Sequence, residues 1–373
     1  MDFTYTSEQE ALRDSVRRFV EREYGWERRF ELIRAAPGAD RNHWATFAEL
    51  GLLGAGLSED EGGFGGGAVE NALIAEELGR ALVIEPFIAH VVATQIVSAI
   101  GGEIGAMLIE PMVMGERRIV PALGEAAGRG DPAAIAAVAS RDGDDYRVSG
   151  AKTLVDGASQ ATDFIMSALH EGGLALFLVA AAADGLSRRD YRTLDNHRVA
   201  DLTLDGAPAQ LIASGDVAAA AMARGLDHGL IALGGEALGT IDAAMWATRD
   251  YLKIRRQFGA TLSTFQALQH RMADVLIEVE LTRSLLFHAL GAAAGSDAAM
   301  RAAAASALKV QIAKGGLLVT REAIQFHGGI GVTEELNISH VYRRLFVIAR
   351  LFGDADVHLD RFSAIIDARL AEK

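Results

Sequence analysis

The chain of 373 residues contains no cysteine. This absence excludes a disulfide framework, catalysis by a thiolate and any metal site built on cysteine. Basic residues are also few compared with acidic ones, 36 against 50, and the formal net charge is −14. Because neutralisation of phosphates dominates nucleic-acid binding, this charge argues against nucleic acid as the main partner. A local basic patch can still bind an anionic small molecule.

Long hydrophobic runs are absent as well. The longest apolar stretches contain glycine or charged residues and fall short of a membrane span. The first residues, Met1–Thr4, lack the charged and apolar segments of a signal peptide. The histidines show no spacing typical of metal ligands, and no nucleophile elbow is found. We therefore expect a cytoplasmic protein with no membrane span and no metal site.

The apolar pattern divides the chain into three segments. Half of the residues are apolar, enough for a sizeable core in two or three domains. Residues 1–115 show helical periodicity, starting with a capping-box pattern at Ser7 and Glu10. Residues 116–215 contain short apolar or alternating runs between turn-forming clusters, which is typical of an antiparallel β domain. From residue 216 to 373 the helical period returns, so the expected fold class is α+β.

Some local expectations can be stated in more detail. Residues 69–84 and 86–100 predict two helices separated at Pro86, and the alanine-rich run Ala292–Ala307 predicts another. The acidic and glycine-rich stretch Glu59–Gly67 predicts a flexible loop. We expect strands around the following runs: Ile119-Val120, Ala137–Ala139, Tyr146–Val148, Phe164–Met166, Leu174–Val179 and Asp201–Leu204.

Two motifs predict a site for the diphosphate half of a nucleotide cofactor. They are Tyr251–Gly259 (YLKIRRQFG) and Gln325–Gly331 (QFHGGIG). The two arginines of the first can grip phosphate oxygens through fork-like donor groups, and the glycines of the second allow close approach of the backbone. Neither motif is a Walker A loop or a Rossmann fingerprint. The alternatives are a solvated helix end for the arginines and a helix cap for the glycines.

The order of these segments and motifs resembles the acyl-CoA dehydrogenase family along nearly the whole chain. At the front, Trp44 with Leu50–Gly54 is similar to the family's aromatic helix, and Ser58–Gly63 is similar to its acidic-glycine loop. In the middle, Ser149–Lys152 and Ala161–Ile165 are similar to its strand-rich part. The two nucleotide motifs, with Phe265-Gln266 between them, match its best-defined sequences.

The resemblance implies a helical N-terminal domain, a β-barrel-like central domain and a C-terminal four-helix bundle, assembled as a tetramer with FAD at a subunit boundary. It implies an acyl-CoA substrate and α,β-dehydrogenation of the thioester. Phe258 would offer an apolar wall near the diphosphate. The residues implied in binding the ADP end of FAD, commonly across the subunit interface, are Arg255, Gln257, Phe258, Gln266, Gln325, Phe326, His327, Gly328 and Gly329.

The catalytic base of the family is not found at either expected position. Most members use the glutamate of a Tyr-Glu-Gly-Thr segment, where this chain has Phe352. Other members place it near the start of the helix that precedes the arginine motif, where this chain has Gly229. Glu236, two turns further on, is the remaining candidate, with a packing or ion-pair role as its alternative. Asp227 matches a substrate position near the thioester, or is an exposed acid at a helix start.

Two segments that hold the flavin ring in the family also differ. They read Leu123–Asp131 and Lys152–Asp156 here, and Leu154 replaces a tryptophan. All the departures fit one hypothesis: the chain keeps the ADP-binding half of the site and has lost the ring-binding and proton-abstracting halves. It then resembles the small partner subunits of heteromeric acyl-CoA dehydrogenases, and its partner is a homologous subunit.

Three other interpretations remain open at this point. One is a self-sufficient homotetrameric acyl-CoA dehydrogenase with Glu236 or another acid as base. A second is a flavin-dependent oxidase or monooxygenase on the same fold, because fold does not determine chemistry. A third is a scaffold without enzymatic activity, which the retained nucleotide motifs argue against.

Overall fold

The computed structural model describes residues 4–35, 41–128, 131–143 and 145–371. Within these ranges, helices precede and follow the strands, and all strands but two very short ones lie between residues 119 and 214. The α-helices are α1 Ser7–Glu23, α2 Trp26–Arg34, α3 Arg41–Glu49, α4 Ala68–Arg80, α5 Phe87–Ile100, α6 Gly102–Val113, α7 Gly215–Ile254, α8 Gln266–Ala293, α9 Ala298–His327, α10 Ile338–Ile348 and α11 Ala355–Ala371. The strands are β1 Ile119–Ala122, β2 Val138–Asp142, β3 Asp145–Asp156, β4 Asp163–His170, β5 Gly173–Ala180, β6 Leu186–Arg192, β7 Arg198–Ser214, β8 Arg256–Gln257 and β9 Ala260–Thr261.

The first seven strands form one sheet. The order is β1-β4-β2-β3-β7-β5, with β6 paired to β7 and β4 also paired to β5. The β4–β5 pairing closes β4, β2, β3, β7 and β5 into a ring around a core that includes Phe164, Phe177 and Leu202. Most neighbours are antiparallel, but β4 runs parallel to β1 and to β2. The expectation of a purely antiparallel domain was therefore wrong for this edge.

The chain divides into two compact units. One contains Met1–Arg29, Ala72–Val83 and Ile231–Lys373, and the other contains Phe30–Asn71 and Ile84–Leu230. The first is helical, and the second holds the large sheet together with helices on either side of it in sequence. The 40-residue helix α7 passes from the second unit into the first.

Glycines let α7 approach its neighbours at backbone distance. In the helical unit, a Cβ at Gly239 would lie 1.9 Å from the carbonyl oxygen of Glu76 on α4, and one at Gly235 would lie 2.4 Å from that of Ala72. A residue with a side chain would force the two helices apart at either position. The glycines and alanines noted in the sequence of α7 therefore serve close helix packing.

Helix α9 forms the buried centre of the C-terminal bundle. It is paired with α8 through Arg271–Glu322 and Gln311–Glu278 contacts. The stretch Ala298–Val332 is long and apolar enough to cross a membrane, but 67% of its most apolar window is buried within the protein. Core helices of soluble proteins meet the same criteria of length and composition.

Several local expectations need correction. The run Ala292–Ala307 is not one helix, because α8 ends at Ala293 and α9 begins at Ala298, where Asp297 caps it by accepting from the Met300 N–H at 3.0 Å. Strand β6 was not expected. Its side chains are mostly exposed and charged, as is common on sheet edges, so it lacks the apolar signal of a strand.

Candidate functional site

The arginine motif forms a short hairpin at the end of α7. Strands β8 and β9 pair through a turn in which Phe258 and Gly259 both have positive φ, 53° and 81°. A positive φ is unfavourable for phenylalanine. The Phe258 side chain is also 89% exposed, although it touches the edge of Phe265 at a centroid distance of 6.2 Å. The tip of the hairpin therefore combines an unfavourable backbone conformation with an exposed apolar ring.

Two aromatic contacts bring both nucleotide motifs to one end of the helical unit. Tyr251, one turn before Arg255, stacks on the ring of His327 with centroids 4.3 Å apart. Arg271, on the first turns of α8, lies over the ring of Phe326 at 4.9 Å. The ends of α7 and α9 and the start of α8 therefore converge. The sequence alone did not point to Tyr251 or Arg271 as supports.

The predicted nucleotide-binding residues separate into an exposed set and a buried set. Phe326 and His327 are buried, and the His327 Nδ1 lies 2.8 Å from the Ala323 carbonyl oxygen. Burial lowers the pKa of His327, although the hydrogen bond to Ala323 opposes this effect. Their side chains therefore support the site from within. The residues exposed at the same end are Arg255, Gln257, Phe258, Gln266, Gln325, Gly328 and Gly329.

The two glycines after α9 leave a bare stretch of backbone. Gly328 has φ +64° and ends the helix, which is a conformational reason for glycine. Gly329 has no positive φ, and a Cβ there would meet nothing within 4 Å. Folding of this chain therefore does not require glycine at 329. The open backbone, one exposed guanidinium and three exposed amides therefore occur at the same end of the helical unit, and donors of these kinds suit the diphosphate of an adenine nucleotide.

The first expected base position lies in a turn that other side chains hold from the interior. Phe352 has φ 57° and is half-buried, and Gly353 follows with φ 102°. His358 donates from Nε2 to the Phe352 carbonyl oxygen at 2.9 Å and accepts at Nδ1 from the Ser306 hydroxyl at 3.3 Å. Phenylalanine has no proton-accepting group, and the described turn brings its backbone, rather than an acid, to this point.

The second expected base position has no room for an acid. In the sheet-containing unit, a Cβ at Gly229 would lie 2.3 Å from Cγ2 of Val92 on α5. One turn earlier, a Cβ at Gly225 would lie 2.8 Å from the Val92 carbonyl oxygen and 2.4 Å from Cγ1 of Ile96. Helices α5 and α7 are therefore in direct contact, and a carboxylate side chain at 229 requires the Val92 side chain to move.

The two other acidic candidates on α7 are both buried. Glu236 accepts from Nε of the buried Arg344 at 2.6 Å. This is an ion pair within one chain rather than between subunits. Asp227 is only 1% exposed and lies well inside α7, so it is not an exposed acid at the helix start. A base must reach the substrate proton by hydrogen bonding, and Glu236 is already engaged by a guanidinium.

The two segments that differ from the family's ring-binding sequences are adjacent in the structure. The N–H of Thr153 donates to the Gly124 carbonyl oxygen at 2.9 Å, and the buried Lys152 donates to Glu125 at 2.7 Å. Burial lowers the pKa of Lys152, against the effect of Glu125. Arg129 and Gly130, in the first of these segments, lie outside the described residues.

Leu154, at the family's tryptophan position, sits in an irregularity of β3. It has φ 56° and is 54% exposed. Asp201 holds the site from β7: it accepts from the Leu154 N–H at 3.3 Å and from the Tyr191 hydroxyl at 2.7 Å. Burial and the hydrogen bond to Asp201 raise the pKa of Tyr191 to about 12. The position lacks an aromatic ring or a hydroxyl for contact with a flavin.

The stretch Glu59–Gly67 is anchored rather than free. A short 3₁₀ helix, Glu59–Glu61, starts it, and Glu61 accepts hydrogen bonds from Ser58, Ser98 and Arg224. Burial raises the pKa of Glu61, but these hydrogen bonds and Arg224 outweigh burial and lower it to about 2. The expectation of a flexible loop was therefore wrong for this part of the stretch.

Comparison with known proteins gives consistent matches over the whole chain. The family model for the acyl-CoA dehydrogenase N-terminal domain matches residues 6–106, and the family model for the acyl-CoA dehydrogenase C-terminal domain matches residues 218–366. The chain is 27% identical to the acyl-CoA dehydrogenase IpdE2 of Mycolicibacterium smegmatis, over 96% of this chain and 99% of that protein.

Solved structures add a similarity of fold. The steroid ACAD Tcur3481-Tcur3483, solved as a variant, is 34% identical with a TM-score of 0.90, covering 98% of this chain and 99% of that chain. The ChsE4-ChsE5 complex from Mycobacterium tuberculosis is 26% identical with a TM-score of 0.88, covering 100% of both chains. This chain therefore belongs to the acyl-CoA dehydrogenase family, whose members are flavoprotein oxidoreductases that use FAD.

Proposed function

We propose that this chain is the partner subunit of a heteromeric, FAD-dependent acyl-CoA dehydrogenase of the cytoplasm. It contributes the ADP-binding half of a FAD site, and a homologous subunit contributes the flavin-ring contacts and the base. The observation that carries the proposal is the contrast between the two halves. The nucleotide end is exposed and open at Gly329, whereas Gly229 leaves no space for an acid.

The reaction requires removal of the α proton of the acyl-CoA and transfer of the β hydrogen as hydride. Bound FAD would accept the hydride. The described residues supply no carboxylate at either of the family's base positions, so the proton acceptor comes from the partner. Arg255 would neutralise diphosphate charge, Gln266 and Gln325 would orient it, and the Gly328-Gly329 backbone would approach it closely.

The heteromeric arrangement has support from the relatives. Tcur3481-Tcur3483 is a steroid ACAD, and ChsE4-ChsE5 is a complex. We extend both properties to this chain: a mixed tetramer and a bulky, steroid-derived acyl group. The close contact of α5 and α7 at Gly225 and Gly229 is compatible with an acyl pocket formed by the partner alone.

Co-expression with a homologous acyl-CoA dehydrogenase subunit from the same organism tests the proposal. We expect acyl-CoA-dependent reduction of an artificial electron acceptor by the co-purified complex and none by this chain alone. Arg255→Ala in this chain should abolish or strongly reduce the activity of the complex, whereas Lys253→Ala, which removes another exposed cation near the end of α7, serves as the control. Full activity of this chain by itself would contradict the partner role.

A further inference from the structure

A chain of polar contacts begins directly after the glycine turn. Glu334 accepts from His340 Nε2 at 2.6 Å through one carboxylate oxygen and from Arg343 Nη2 at 2.7 Å through the other. Arg343 also donates to the Ser339 hydroxyl at 2.9 Å. The segment that follows Gly328–Val332 is thus attached to the first turns of α10.

The tautomer of His340 follows from its two neighbours. Arg29 Nη1 lies 3.1 Å from His340 Nδ1, and an arginine can only donate hydrogen bonds. Nδ1 is therefore the acceptor, and Nε2 carries the proton that it donates to Glu334. His340 is buried, and its two ring nitrogens connect Arg29 on α2 with Glu334 in the loop before α10.

The charges around His340 favour its neutral form. Arg29 faces it from α2, Arg343 from its own helix and Glu334 from the loop, and the edge of the Trp26 ring is 4.8 Å away. Burial lowers the pKa of His340, the hydrogen bond to Glu334 opposes this, and the two arginines lower it further. A proton on Nδ1 would face the guanidinium of Arg29.

Thr333, the residue before Glu334, connects Glu334 to the glycine turn. Thr333 donates to the Ile330 carbonyl oxygen from its backbone N–H at 3.2 Å and from its hydroxyl at 2.8 Å. The Ser339 hydroxyl donates to the Thr333 carbonyl oxygen at 3.2 Å. Movement of Glu334 would therefore displace the end of the Gly328–Val332 turn.

We propose that Glu334 and His340 are positioning residues of the nucleotide site, with Arg29 fixing the proton on His340. They hold the Gly328-Gly329 backbone in the place where it meets the diphosphate. This inference rests on the proposed function, because it assigns a support to the same ADP-binding turn.

Two substitutions of His340 separate the two halves of this contact chain. Glutamine places an amide N–H near the position of Nε2 and keeps the donor to Glu334. Asparagine places an amide oxygen near the position of Nδ1 and keeps the acceptor for Arg29, but it cannot reach Glu334. The dissociation constant of FAD is then measured on the complex with the partner subunit after removal of the flavin.

We expect His340→Asn to weaken FAD binding by about tenfold, the effect of losing one charge-assisted hydrogen bond, and His340→Gln to stay close to the wild type. Unfolding midpoints of both variants show whether each is folded. Equal FAD affinity of the two variants, or weaker binding by His340→Gln, would overturn the inference.

Arg255→Ala distinguishes failure of this inference from failure of the proposed function. If Arg255→Ala weakens FAD binding and His340→Asn does not, the positioning role is wrong while the ADP clamp stands. If a folded Arg255→Ala variant binds FAD as the wild type does, the ADP clamp itself is wrong.

Discussion

Lys309 is a buried lysine that no carboxylate of the described residues contacts. It lies on α9, is 0% exposed, and donates from Nζ to the Ile348 carbonyl oxygen at 2.7 Å. Burial lowers the pKa of Lys309 from 10.5 to about 7, against the effect of Asp354 and with that of Arg350. Because one pKa unit corresponds to about 1.4 kcal/mol, the charged form is disfavoured by about 5 kcal/mol.

The sign of the pH dependence follows from the lowered pKa in the folded state. Between about pH 7 and pH 10.5 the unfolded chain binds more protons at this lysine than the folded chain does. The free energy of unfolding therefore rises with pH in this window, by roughly 3 kcal/mol between pH 7 and pH 10. Below pH 7 the penalty is fully present.

Lys309→Met removes this dependence at the expense of one hydrogen bond, worth about 1 kcal/mol. We expect the variant to be more stable than the wild type by about 3 kcal/mol at pH 7 and by less than about 1 kcal/mol at pH 10. Urea unfolding at both pH values measures the difference. Lys314→Met, at an exposed position of the same helix, is the matched control. If both variants show the same pH dependence as the wild type, the reasoning about Lys309 is refuted.

Three further predictions follow from the described contacts. Gly329→Ala should leave the unfolding midpoint unchanged but prevent FAD binding by the complex. Gly331→Ala should lower the unfolding midpoint, because its Cβ would lie 2.9 Å from Cβ of His327. Equal unfolding midpoints of the two variants would contradict this prediction. Glu236→Gln should destabilise the protein by about 3 kcal/mol, since it removes a buried charge that the Arg344 guanidinium contacts at 2.6 Å, and it should leave kcat of the folded complex unchanged. Loss of kcat would instead identify Glu236 as the base. Because the pKa of Glu61 is lowered to about 2 in the folded state, the wild type loses stability as the pH falls from 4.5 to about 2. Glu61→Gln should reduce this loss of unfolding free energy. An unchanged pH dependence of the unfolding free energy in this range would contradict the prediction.

The nucleotide motifs could be read from the sequence because their chemistry is local. Arginine, amide and glycine residues occur within a few positions of each other, and each type has a specific use at a phosphate. In the structure, the stack of Tyr251 on His327 brings the end of α7, where Arg255 lies, to the glycine turn after α9. The sequence did not indicate that Phe326 and His327 face inwards, since this depends on Tyr251 and Arg271 from two other helices.

Contacts between distant residues were not predictable from local pattern. The pairing of β1 with β4, in parallel, depends on how the whole sheet closes. Glu61 and Arg224 are 163 residues apart, so nothing near either one in sequence indicates the ion pair. The lack of space at Gly229 likewise depends on Val92 from another helix. The sequence shows that no acid is present at 229, but it does not show the neighbouring side chain.

The flavin content of the purified protein tests the central claim most directly. We expect this chain alone to be colourless, and the complex with its homologous partner to contain one FAD for each pair of chains, lost on Arg255→Ala substitution in this chain. A full equivalent of FAD bound by this chain alone, reduced by an acyl-CoA, would contradict the account.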